Sequence, residues 1–199
     1  MATARAGRAA ARGAATAAGE LPSTEVPPEA VCIVCLDRGD EALLRNCACR
    51  GSMAGYAHIE CLAQYAAAAR HKPELWTECG TCKQRFFGAT QLGLARARLE
   101  RARGLPEQDT ERLNAMNDLA LALTSTGEYA SALPLFEEVL AVRRRTIHAG
   151  SNLHTDTLTS MFNLADLHNK MERPDLALPL AEDCRIGRWV RLGLSLIHI

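Results

Sequence analysis

From about Leu92 to Trp189 apolar residues recur at the three- and four-residue spacing of amphipathic helices, whereas between Val31 and Gly88 they come in short pieces. The later pattern is duplicated. Leu113, Met116, Leu119, Ala120, Ala132, Pro134, Leu135 and Glu137 return as Leu158, Met161, Leu164, Ala165, Ala177, Pro179, Leu180 and Glu182, each 45 positions later. Each copy reads as an apolar stripe, a break (Gly127-Glu128-Tyr129 or Glu172-Arg173-Pro174) and a second stripe, so each predicts a helix-turn-helix hairpin. The second break has Glu172 and Pro174 where the first has Gly127 and Tyr129, and its turn is expected to be built differently. Leu94 to Glu100 predicts a connecting helix before a Gly104-Leu105-Pro106 break, and His58 to Arg70 is a helix-like run in the earlier region.

These patterns divide the chain into residues 1–30, an Ala/Arg/Pro-rich tail expected to be disordered; 31–88, a compact unit; 89–109, a connecting helix and linker; 110–190, the hairpins; and 191–199, a tail. Arg5, Arg8 and Arg12 precede the first acid, Glu20, as in a transit peptide, but low-complexity tails of this composition are the commoner case. Leu194 to Ile199 resembles translated sequencing-library sequence and is left out of the fold reading, and the array is expected to be truncated. At 199 residues the chain has room for one ordinary domain or two small ones. Hydrophobic residues are 48% but aromatics 5%, which points to helices packed through small side chains. With 23 cations against 23 acids, no whole-chain charge draws it to nucleic acid, and Arg143-Arg144-Arg145 is read as a solvated helix end complementing the helix dipole.

Cysteine changes the picture most. Of eight, seven lie between Cys32 and Cys82, and Cys184 stands alone, expected to be packed. The order is Cys32-x2-Cys35, eleven residues, Cys47-x-Cys49, eight residues, His58-x2-Cys61, seventeen residues, Cys79-x2-Cys82. A two-residue spacer lets both donors of a turn face one ion, and eight donors close two tetrahedral sites. Core-filling cysteines, or a redox pair at Cys79 and Cys82, would not produce four pairs in a row. The expectation is two structural Zn2+ ions with no position left open for water, hence no hydrolytic metal. His58 is preferred as the imidazole donor because His71 has no cysteine two or three residues away. A unit of this size needs such staples to offset its conformational entropy. No secretory leader and no apolar run of about 18 residues is present, so a cytoplasmic or nuclear protein without a membrane span is expected.

The donor order, the single residue between Cys47 and Cys49, and the strings Cys49-Arg50-Gly51-Ser52 and His58-Ile59-Glu60-Cys61-Leu62 resemble the RING-CH (RING-variant) finger of E3 ubiquitin ligases over residues 31–88. The resemblance implies a cross-brace, with Cys32, Cys35, His58 and Cys61 on one zinc and Cys47, Cys49, Cys79 and Cys82 on the other. It also implies docking of a ubiquitin-charged conjugating enzyme through Val34, Tyr65, Thr81 and Lys83, although Tyr65 stands where the family usually has Trp. Such ligases act by orienting the thioester, not by a covalent intermediate, so the resemblance implies no catalytic side chain. PHD fingers, which read histone tails, share the donor order but usually have more room between the third and fourth donors and an aromatic two residues before the seventh. Here Trp76 lies three before Cys79. A non-catalytic finger of that kind, or an adaptor, is the alternative reading.

In the first hairpin, Met116, Leu119, Ala120, Leu123, Gly127, Tyr129, Ala132, Phe136 and Val139 resemble the tetratricopeptide (TPR) pattern, and His154-Thr155-Asp156-Thr157-Leu158 resembles its kinesin light chain type. That resemblance implies a groove that recruits a protein substrate. The whole is expected to be a small zinc-stabilised finger followed by all-α TPR hairpins.

Overall fold

The computed structural model describes residues 26–45, 55–146 and 154–191. Cys47 and Cys49, the tail up to residue 25 and the segment 192–199 lie outside the described residues.

The first unit has little regular structure. Strand β1 (Leu44–Arg45) pairs antiparallel with β2 (Tyr56–Ala57), with Leu44 opposite Ala57 and Arg45 opposite Tyr56. Helix α1 (Ile59–Ala68) follows, burying Leu62 and Ala66 one turn apart, and then a 3-10 turn spans Pro73–Trp76. The core holds few large side chains, chiefly Leu43, Tyr56, Leu62 and Phe86, with Leu94 entering from the next helix. Five residues assigned to the disordered tail are in fact ordered. Ala30 is fully buried, Val26 packs on the same core, and Arg38 Nη1 donates to the carbonyls of Pro27 and Pro28 at 2.9 and 2.7 Å. The prolines do not end order here; they shape a turn whose carbonyls one guanidinium collects.

Helix α2 (Gly88–Ala102) packs against both α1 and the first helix of the hairpins, so it is part of both units and not a free connector. The hairpins are α3 (Thr110–Ser125) with α4 (Tyr129–Thr146), and α5 (Thr155–Lys170) with α6 (Pro174–Arg191). Asp109 caps α3 by accepting from the N–H groups of Glu111 and Arg112. The duplicated positions do the same work in each copy: Leu113 and Leu158, Met116 and Met161, Ala120 and Ala165, and Ala132 and Ala177 are all buried. Cys184 is buried too, and its thiol donates to the Leu158 carbonyl.

The two turns, expected to differ, are the same. Glu128 N–H donates to Leu123 O at 2.9 Å and Gly127 N–H to Thr124 O at 3.3 Å; Arg173 N–H donates to His168 O at 2.9 Å and Glu172 N–H to Asn169 O at 3.0 Å. Both are Schellman caps, with Gly127 at φ +83° and Glu172 at φ +58°. Backbone carbonyls at the helix end need these partners, and meeting that need outweighs the strain of a left-handed glutamate. Arg143 also departs from expectation: it is buried and donates to Asp156 O, Ser160 Oγ and Asn114 Oδ1, tying α4 to α5 and α3, while Arg145 pairs with Glu107. Burial lowers the Arg143 pKa, partly opposed by the Asp156 carboxylate. No described helix is long and apolar enough to cross a membrane.

Because Glu172 carries a side chain in the left-handed region, Glu172→Gly is expected to raise stability by roughly 0.5–1 kcal/mol, and Gly127→Ala to lower it by about 1 kcal/mol. Urea unfolding of the two variants beside the parent chain measures both, and equal midpoints would contradict this account of the turns.

Candidate metal centre and adjoining groove

The two Cys-x2-Cys segments described fold as the same hairpin. Cys32 N–H donates to Asp37 O at 2.9 Å and Leu36 N–H to Cys32 O at 2.9 Å; Cys79 N–H donates to Gln84 O at 2.8 Å and Lys83 N–H to Cys79 O at 2.9 Å. In both, the residue directly after the second cysteine is left-handed, Leu36 at φ +62° and Lys83 at φ +60°. This tight reversal turns the backbone N–H groups inward toward the first sulfur, as Val34 N–H to Cys32 Sγ at 3.4 Å shows.

The first hairpin meets the start of α1, and there Cys32, Cys35, His58 and Cys61 converge. Their four donor atoms lie within 4.8 Å of one another, a set that could hold one metal ion. His58 Nδ1 is 3.5 Å from Cys35 Sγ and 3.6 Å from Cys61 Sγ. Tetrahedral zinc with bonds of about 2.3 Å to sulfur and about 2.0 Å to nitrogen has sulfur–nitrogen edges of about 3.5 Å, so the donors fit that ion. On the far side of the ring His58 Nε2 is 2.7 Å from Arg38 O. A carbonyl only accepts, so Nε2 carries the proton and Nδ1 offers its lone pair to the cluster. Gly39, at φ +57°, lies against the same ring; a Cβ there would sit 3.4 Å from it.

Without a cation the sulfurs cannot ionise together. Burial resists the Cys32 thiolate, but N–H groups of Cys35, His58 and Val34 outweigh it and bring its pKa down to about 7. Burial, then hydrogen bonds and charge from Cys35 and Cys32, push the Cys61 thiol up to about 12. A divalent cation removes the conflict by letting all three sulfurs bind as thiolates.

Of the other expected donors, Cys79 and Cys82 stand in the second hairpin, and their expected companions Cys47 and Cys49 lie outside the described residues. His71 is exposed and outside the cluster. Between the two hairpins and α1 runs a groove of about 330 Å³ that brings Val34, Tyr65 and Thr81 together. Val34 and Tyr65 are 40% and 52% exposed, so they are surface and not core packing. Lys83 is exposed at the end of the second hairpin but does not line the groove. Ile33, Leu75, Gly80 and Phe86 line it as well and were not singled out from sequence. The signal was present: Ile33 and Gly80 are the spacer residues of the two cysteine pairs, and a Cβ on Gly80 would come within 3.1 Å of Leu75.

Comparison with known proteins bears on the helical part. A tetratricopeptide repeat family model matches residues 111–185. A solved structure from Podosopora anserina, described as kinesin light chain nearly identical TPR-like repeats, aligns at 23% identity and a TM-score of 0.44 over 67% of this chain and 66% of that one. No curated protein matches the chain.

Since the Cys61 thiol keeps its proton far above neutral pH, metal must displace it, and affinity is expected to fall about tenfold for each pH unit lost from this thiol alone. Competition with a chromophoric chelator between pH 8 and pH 6 reads this slope. His58→Ala is expected to weaken binding at this site by at least about tenfold; unchanged affinity would remove His58 from the donor set.

Proposed function

We propose that the chain is a RING-type E3 ubiquitin ligase in which a two-zinc finger docks a ubiquitin-charged conjugating enzyme and the TPR region recruits a protein substrate. The observation that carries this reading is the groove: a partly apolar surface lying between the two cysteine hairpins, with Val34, Tyr65 and Thr81 on its walls. These positions are the ones the RING-CH resemblance assigns to the conjugating enzyme. The donor set supports zinc as the ion, three sulfurs and one imidazole being its usual structural environment. Zinc would supply rigidity and no chemical step. The side chains would act by binding and orientation, with Tyr65 and Val34 as apolar anchors and Lys83 as a cation near the docking edge. The second zinc would take Cys79 and Cys82 with Cys47 and Cys49.

The repeats carry the coarser part of the reading, since tetratricopeptide hairpins are protein-interaction scaffolds. Ubiquitin transfer by the full chain over a panel of conjugating enzymes tests the finer part. Tyr65→Ala and Val34→Ala are each expected to lower the rate at least about tenfold with zinc content unchanged, the size expected for a lost anchor. A zinc-loaded chain inactive with every conjugating enzyme, yet binding a histone-tail peptide in the groove, would establish the reader alternative instead.

A further inference from the structure

Helix α2 belongs to two cores at once. Leu94 is fully buried in the finger core and Ala97 packs against it, while Leu92 and Leu99 pack against the cores of the hairpins. Gly93 lets α2 approach α1 so closely that a Cβ would lie 3.0 Å from Ile59. At the crossing sits Arg98, 5% exposed. Its guanidinium lies over the ring of Trp76 in the finger, 5.9 Å from the centroid. It donates through Nε and Nη2 to both oxygens of Glu111 at 2.8 Å each, and through Nη1 to Asp118, both on α3. The two carboxylates overcome burial and hold the guanidinium more firmly cationic than usual, while burial pushes the Asp118 carboxyl up against the downward pull of Arg98.

A TPR hairpin buries its apolar face only against neighbours, and about three units are normally needed for stability. Helix α2 packs along α3 and so covers part of the apolar face of the first hairpin. A helix of 15 residues is itself marginal in water without a packed face. Helix α2 packs most extensively on α3, but the finger supplies the cover for its Leu94 face, and a unit with so few large core residues is expected to need ligation to order itself.

We propose that the finger is the N-terminal cap of the helical array, and that metal occupancy of the Cys32, Cys35, His58 and Cys61 cluster sets the stability of the α3–α4 hairpin, with Arg98 transmitting the effect. The proposal rests on the metal reading of that cluster but not on ligase activity. Loss of the metal frees the finger segment that carries Trp76. Arg98 then loses the aromatic wall over its charge, and Leu94 loses its core. The array is left with a fraying helix where it had a cap.

The test is hydrogen exchange on the full chain, zinc-loaded and then stripped by EDTA under reducing conditions, with zinc release measured in parallel. Protection of α3 and α4 amides is expected to fall at least about tenfold on stripping, and that of α5 and α6 to fall less. In Trp76→Leu, which leaves the Arg98 carboxylate pairs in place, and in Arg98→Met, the zinc-dependent change in α3 is expected to shrink severalfold while zinc stoichiometry is retained. Should Arg98→Met fail to fold, Trp76→Leu carries the comparison. Zinc released and finger amides deprotected, with α3 and α4 unaltered, would overturn the coupling alone. A chain that holds no zinc before stripping would remove the metal reading and this proposal together.

Discussion

Three thiols and an imidazole within 4.8 Å of one another cannot all present lone pairs outward to water; each thiolate formed raises the cost of the next. The opposite displacements of Cys32 and Cys61 express that conflict. A cation at the centre turns mutual repulsion into shared attraction. It would also close a loop between residues 32 and 61 in a unit whose core has few large side chains. Burial of apolar area alone is small for a unit this size, so ligation energy at this cluster would become folding energy.

The groove inherits its shape from the same constraint. Ile33 and Val34 project from between the donors of one hairpin, Gly80 and Thr81 from between those of the other, and Tyr65 from the helix begun by His58 and Cys61. A surface made of spacer residues is fixed only as firmly as the donors on either side of it. The exposed Val34 and Tyr65 are held against the buried Leu62, Leu75 and Phe86 that form the rest of the groove wall. A metal-closed hairpin would likewise over-determine the strain of the left-handed Leu36 and Lys83.

Much of this was legible in the chain. The 45-residue duplication placed four helices because helical periodicity survives any detail of packing, and the RING-CH resemblance, carried by the spacing of seven cysteines and His58, implied the set Cys32, Cys35, His58 and Cys61 that the fold brings together. What escaped the reading was mostly polar groups doing buried work. Arg98 lies one turn after Leu94 and one turn before Ala102, in the middle of an apolar stripe, and Arg143 follows Val139 and Leu140 in the same way. A charge at such a position implies a partner far along the chain, Trp76 or Asp118 for one and Ser160 or Asn114 for the other, and long-range pairing leaves no local trace. Glu172 escaped because propensity argues against a glutamate in the left-handed region, while the cap's demand for carbonyl partners decides the matter. Val26 to Ala30 escaped because their order comes from Arg38, eight or more residues later.

The shared helix α2 gives these parts a common frame. A flexible linker would let the finger groove and the repeat surface sample many separations, and one would act on the other only through effective concentration. Here Leu75 and Trp76 are consecutive, the first lining the groove and the second under Arg98, so the groove wall and the clasp to α3 share one 3-10 turn. A partner bound to the repeats would then be held at a set distance and angle from one bound in the groove. On the ligase reading, selection among acceptor sites would follow from reach and orientation, which is where an enzyme without a covalent step has its leverage.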